Sequence, residues 1–276
     1  MRVYITADME GVSGVVHTAQ TEPGAREYEY ACALMVGEVN AAVEGAFAGG
    51  AIYVLVNDSH WNMRNIRLTD LDPRAELISG SPKPFSMMQG ISSSFDLVFC
   101  VGYHARAGTE AATIDHTYTS RVQRVTVNGL EVGELGLNAL LAGEYDVPVL
   151  LVTGDQQLAA EAHALLGEYV TTVQVKEALG RGAARCLPIA EARDRIYQGA
   201  LYAVERRRTM LDGQGLVHTA PPFTLEAEFA QTGQAEMALL CPGSHRTGPR
   251  SISFTHSDYR EVFRAWRAMY NLAGSD

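Results

Sequence analysis

Four strand-length runs of continuously apolar residues, at 2–7, 51–58, 96–104 and 147–155, are set apart by segments long enough to hold helices. A strand that faces water on one side alternates apolar and polar residues. These runs do not alternate, so each predicts a strand buried on both faces, the habit of a parallel sheet. Between the first two runs, residues 27–48 carry Ala31, Leu34, Met35, Val39, Val43 and Ala46 at helical spacing, and Gly49-Gly50 stops the helix. Strand, helix and strand in that order make a right-handed βαβ unit. The chain therefore reads as α/β, with a three-layer Rossmann-like domain around a mainly parallel sheet.

The remaining pattern fills in that scheme. Residues 76–80 predict a short strand, 84–91 a short helix opened by a proline, and 122–134 a hairpin turning at Asn128-Gly129. "LGLNALLAGEY" and 157–167 read as helices, and 170–175 as a strand. Beyond about residue 190 the texture changes. A charged helix (190–208), strands at 223–229 and 251–256, and helices at 234–240 and 257–272 suggest a smaller α+β domain. The expected division is a metal-binding catalytic domain over 1–190 and a second domain over 191–276.

Each buried strand ends in groups that bind cations. The first runs into Asp8 and Glu10, the second into Asn57, Asp58 and His60, the third into His104 and the fourth into Asp155; the hairpin returns into Glu134. Ligands of open parallel sheets sit outside the carboxyl ends of the strands, so these side chains would share one edge. Carboxylate and imidazole suit Zn²⁺ and related divalent metals. Asp8, Glu10, His60, His104 and Glu134 are too many for one site and suit two metals sharing a bridging carboxylate, a pair that activates water and polarises a carbonyl. His116, in a loop without apolar periodicity, is the candidate for a catalytic group that is not a ligand. His17, His163 and His218 read as structural, and His245 and His256 fall outside the cluster. Asn138 reads as a helix-surface amide that could instead line the site. Lys83 reads as a solvated loop lysine, with a substrate carboxylate as its other possible partner. Met87-Met88 reads as core rather than pocket wall.

Composition narrows the partners. The formal net charge is −10, and no basic block stands out beyond Arg206–Arg208, which argues against nucleic acid and suits a cation or an amine. No run of eighteen apolar residues predicts a membrane span, and the start lacks the pattern of a signal peptide. Four scattered cysteines without a C-x-x-C fit a reducing cytoplasm. Neither G-x-S-x-G, G-x-G-x-x-G nor a P-loop occurs in a fitting context, which leaves serine hydrolases, dinucleotides and NTPs unsupported.

"TADMEG", "NDSH" (57–60), "VGYHA" (101–105), "DHTY" (115–118), "NGLEVGELGLNA" (128–139) and "VTGD" (152–155) resemble the M55 metallopeptidases, the DppA-type D-aminopeptidases. The similarity is densest over residues 1–155 and thin beyond about 190. Thr6 stands where the family signature S-x-D-x-E-G has serine, keeping the hydroxyl. The resemblance implies two zinc ions per chain: Asp8 bridging both, Glu10 and His60 completing one site, His104 and Glu134 the other, and His116 as an additional catalytic histidine. It further implies a ring-shaped decamer. The expected function is zinc-dependent removal of the N-terminal residue from short peptides, D-residues such as those of D-Ala-D-Ala preferred. The alternatives are a metal-dependent hydrolase of other peptides, amides or phosphoesters on the same fold, and a non-catalytic peptide-binding protein.

Overall fold

The structure is a computed structural model that describes residues 1–217 and 219–274. His218 lies outside the described residues. Strands β1 (Arg2–Ala7), β2 (Tyr53–Asp58), β3 (Glu76–Ile78) and β4 (Leu97–Val101) belong to the main sheet, with helices α1 (Thr18–Thr21) and α2 (Tyr28–Ala48) after β1. The hairpin β5 (Val122–Val127) and β6 (Leu130–Glu131) precedes α3 (Glu134–Gly143), β7 (Val149–Gly154), α4 (Gln156–Leu166) and β8 (Thr171–Gln174). Then come β9 (Lys176–Gly180), β10 (Ala183–Cys186), α5 (Ile189–Arg207), β11 (Phe223–Phe229), α6 (Thr232–Ala238), β12 (Ser244–Arg246), β13 (Ser251–His256) and α7 (Tyr259–Leu272).

The expected architecture is present. Six parallel strands form one sheet in the order β3-β2-β1-β4-β7-β8. That is the doubly wound order, and the connection reverses direction between β1 and β4. Alternation along the strands sets the layers. Val3 and Ile5 of β1, with Leu97, Phe99 and Val101 of β4, pack among residues of α2 and α5; Tyr4, Val98 and Cys100 pack with α3 and α4 on the other face. By length and composition α2 could cross a membrane, but Ala31, Leu34, Met35, Val39 and Val43 are buried in this protein core.

The division expected near residue 190 follows neither sheet. The second sheet, β12-β13-β11-β5-β6, takes its hairpin from residues 122–131, while α5 lies against α2 over the first. A lone two-stranded hairpin is marginal in water, so β5–β6 needs β11 beside it. Helix α5 buries Ala192, Ile196, Gly199, Ala200 and Ala203, a mostly small stripe, on the face of the sheet that α2 also covers. The Asn128-Gly129 turn has positive φ at both residues (50° and 83°), as its two-residue loop demands. The helix expected over 84–91 is a single 3₁₀ turn, Ser86–Met88. The antiparallel pair β9–β10 was not expected at all.

Candidate metal centre

The site forms at the carboxyl ends of the paired strands β1 and β4, and glycine lets it close. Asp8 N and Gly11 N donate to Val101 O and Gly102 O, each at 2.8 Å, so the segment after β1 runs hard against the end of β4. A Cβ on Gly11 would lie 1.8 Å from Tyr103 O, and Gly102 (φ +70°) faces Asp8 O. Gly11→Ala therefore forces the carboxylate strand end off the histidine strand end. The expected cost is about 3 kcal/mol or more, because the clash is with backbone, together with reduced metal uptake; urea unfolding and elemental analysis measure the two.

From this crossing six side chains converge. Asp8, Glu10, His60, His104 and Glu134 are 3–5% exposed, and His116 lies at their edge. Asp8 divides its oxygens: Oδ1 is 3.2 Å from His60 Nδ1 and Oδ2 is 3.5 Å from His104 Nε2. Glu10 Oε2 is 3.0 Å from the same His60 nitrogen, and Glu134 Oε1 is 3.4 Å from His104 Nε2 and 3.7 Å from His116 Nε2. Ligand atoms of a tetrahedral zinc, at bonds of about 2.0–2.2 Å, stand about 3.3 Å from one another. The four shorter distances match that spacing.

Backbone carbonyls settle which ring nitrogens are free. His60 Nε2, His104 Nδ1 and His116 Nδ1 face Thr21 O (2.8 Å), Ala105 O (3.0 Å) and Ile114 O (2.9 Å). A carbonyl only accepts, so those nitrogens carry hydrogen, and in the neutral rings the opposite nitrogens aim lone pairs at the cluster. Glu10 Oε2 is buried and faces His60 Nδ1 at 3.0 Å, so with that ring neutral it receives no hydrogen bond from the described residues. A buried carboxylate oxygen left in that way suits a cation.

Protons take the place of cations in the electrostatics of these groups alone. Burial and then Glu10 push the Asp8 carboxyl up to about 7. Burial opposes the charge on His60, but Glu10 and Asp8 outweigh it and hold the imidazole well above its usual range. His104 is likewise raised to about 10, burial being overcome by Glu134. His116 differs. Burial pushes it down, and the His104 ring stacked on it at 4.0 Å adds to the effect. Its side chain is also 19% exposed against 2% for His104, so it is the most open of the three toward the cavity, which His60 lines as well.

The supporting residues were largely silent in the sequence. Lys176, buried, donates from Nζ to the carbonyls of Glu10, Val12 and Val15 and pins the loop behind Glu10. Glu38 accepts from Ser13 N in the same loop (2.8 Å). Tyr118 N donates to Glu134 Oε1 at 2.6 Å. Ile114, whose carbonyl steers His116, holds φ +52°, a strained setting for a β-branched residue, and is tied by its N–H to Arg181 O.

Other expectations sort cleanly. Asp155 does not reach the cluster: it caps α4 through Gln157 N and Leu158 N and holds Thr113, which fixes the His116 loop. Asp58 is consumed by Asn65 N, Asn65 Nδ2 and Ile66 N. Lys83 is not solvated. It is buried, with Nζ on Asn57 Oδ1 (2.6 Å) and Asp58 O (2.7 Å), because the end of β2 leaves two oxygens there to satisfy. Asn138 is not a surface amide either; it is buried between Tyr103 and Tyr118. His17 caps α1, and His163 meets Thr172. Met87 and Met88 are core, though Met87 also touches the cavity.

A cavity of about 610 Å³ opens over the cluster. Fold and site together define a doubly wound α/β protein with a buried carboxylate–imidazole centre, of a composition that holds divalent metals, at its switch point. The chain belongs to the peptidase M55 family of D-aminopeptidases, whose family model matches residues 1–268. It is 40% identical over 276 residues to a D-aminopeptidase of Bacillus subtilis (strain 168), covering 99% of this chain and 98% of the relative. It is also similar to the solved structure of the zinc-dependent D-aminopeptidase DppA from Bacillus subtilis, described as a self-compartmentalizing protease. That likeness has a TM-score of 0.94 and 38% identity, and it covers 100% of this chain and 99% of the other.

Proposed function

We propose that this chain is a zinc-dependent aminopeptidase that removes the N-terminal residue of short peptides, with D-residues preferred and D-Ala-D-Ala as a representative substrate. The observation that carries this reading is the split carboxylate of Asp8, one oxygen toward His60 and the other toward His104 at ligand-sphere spacing. Asp8 would lie between two zinc ions, with Glu10 and His60 completing one site and His104 and Glu134 the other. Bound there, the ions would supply a water of lowered pKa and polarise the scissile carbonyl.

The chain's own residues do the rest. His116 Nε2, unprotonated in the neutral ring that burial favours, takes a proton from the attacking water and returns it to the leaving amine. Glu134 is kept in place by Tyr118 N. Glu22 on the cavity lining, an acidic group outside the proposed ligand set, suits the free α-ammonium of a peptide. The cavity volume is within the usual range for small ligands, which supports a short peptide. The described self-compartmentalization of the Bacillus subtilis relative supports the ring-shaped homodecamer, and the free state of all four cysteines fits a cytoplasmic location.

Release of D-alanine from D-Ala-D-Ala tests the reading. Zinc-loaded protein should turn the dipeptide over, faster than its L,L isomer. Chelator should stop it and added zinc restore it. Undiminished turnover after complete metal removal would sink the mechanism, and tight binding without release would leave a peptide-binding protein.

A further inference from the structure

The cavity holds three arginines, and they are not equivalent. Arg181 is paired with Asp115 at 3.0 Å. Arg121 is exposed, where solvent screens it. Arg267, on α7, is half-buried and gives Nη1 to Tyr270 OH at 3.0 Å. It has no acidic partner among the described residues. A guanidinium has five donors, and one spent on a neutral phenol leaves the fork open.

A chain of contacts ties this guanidinium to the metal cluster. Glu134 Oε1 receives Tyr118 N, the Tyr118 ring lies against Tyr270 with centroids 4.8 Å apart, and Tyr270 meets Arg267. Tyr270, which Arg267 meets, is itself packed against Tyr118 and Trp266. Glu22, also on the cavity lining, is an acidic group outside the proposed metal ligands. A peptide with both termini free carries opposite charges at its ends, and the cavity has the complementary pair.

We infer that Arg267 binds the C-terminal carboxylate of the substrate, so that the enzyme selects very short peptides with a free C-terminus over blocked ones. This rests on the aminopeptidase reading and names the feature of the substrate that this part of the site selects. A bidentate guanidinium–carboxylate pair is directional, so it fixes the reach from the α-amine to the far end of the peptide. Arg267 is thus a specificity residue and not part of the bond-breaking machinery.

The experiment compares D-Ala-D-Ala with its C-terminal amide on the zinc-loaded full chain. Wild type should prefer the acid in kcat/KM by about 10- to 100-fold, the range expected for a charge-assisted pair. Arg267→Ala should erase that preference, lowering kcat/KM for the acid by that factor, mainly through KM, and for the amide by much less. Arg267→Lys should recover part of it, keeping the charge and losing the fork. Equal use of acid and amide by wild type would overturn the inference. So would an equal loss on both substrates in Arg267→Ala, or transfer of the effect to Arg121→Ala. If wild type cleaves neither peptide, the aminopeptidase reading fails by itself. Calorimetric binding of acid and amide to wild type and Arg267→Lys then still decides on Arg267, with tighter binding of the acid, weakened in the variant, supporting it and equal binding overturning it.

Discussion

On the two-zinc centre proposed above, Asp8→Ala is expected to reduce the metal content from about two ions per chain to less than one and to lower kcat/KM by about 10³-fold or more, because each metal contribution is worth several kcal/mol. The size follows from geometry. Glu10 faces His60 and Glu134 faces His104, whereas Asp8 presents an oxygen to each, 3.2 Å from His60 and 3.5 Å from His104. Its loss also leaves each imidazole facing a single carboxylate. The variant should nonetheless fold. Without metals the Asp8 carboxyl is raised to about 7, burial being the first cause. A raised carboxyl stabilises the fold only where it stays protonated: fully below its unfolded value, and progressively less as pH rises through 7. At pH 8 the metal-free Asp8→Ala protein should therefore be at least as stable as metal-free wild type. Elemental analysis and urea unfolding at that pH measure both effects, and two ions retained in the variant would remove the basis of the bridging assignment.

His116→Ala should give the opposite split. Its Nε2 lies 3.7 Å from Glu134, longer than the His60 and His104 contacts, and its ring is the most exposed of the three. The metal content should stay near wild type while kcat falls by about 10²- to 10⁴-fold, the usual contribution of a positioned acid–base group. KM should move little. Loss of a metal together with activity would recast His116 as a ligand, an arrangement its place beside His104 and Glu134 also permits.

How legible this was in the sequence differs by element. Asp8, Glu10, His60, His104 and Glu134 were visible because each follows a strand or opens a helix, and in a parallel sheet such ends share an edge; His116, in the loop between β4 and β5, stood out only as a histidine without apolar periodicity around it. Lys83 and Asn138 were misread for one reason: a polar residue in a loop or on a helix looks solvated until something is known to cover it. Lys176 and Glu38 gave no signal, since a charged residue in β9 or α2 looks like any other surface charge. Only the folded chain brings three carbonyls of the 10–15 loop onto one ammonium. The second sheet was hidden for a related reason. The β5–β6 hairpin was legible from Asn128-Gly129, but its partner β11 lies roughly a hundred residues away, a pairing that no local pattern encodes.

The amino-acid order by itself determined the strand–helix alternation, the parallel sheet and the chemical identity of the groups at its edge, because burial on two faces and helical spacing are written in local apolar pattern. Tertiary structure alone decided which of those groups meet. Asp8 reaches His104 because Gly11 lets one strand end lie on another, whereas Asp155 and Asp58 are spent on donors of their own surroundings, Thr113 and the start of α4 for one and the 65–66 turn for the other. Distances between residues remote along the chain are set by packing, and packing depends on every element at once.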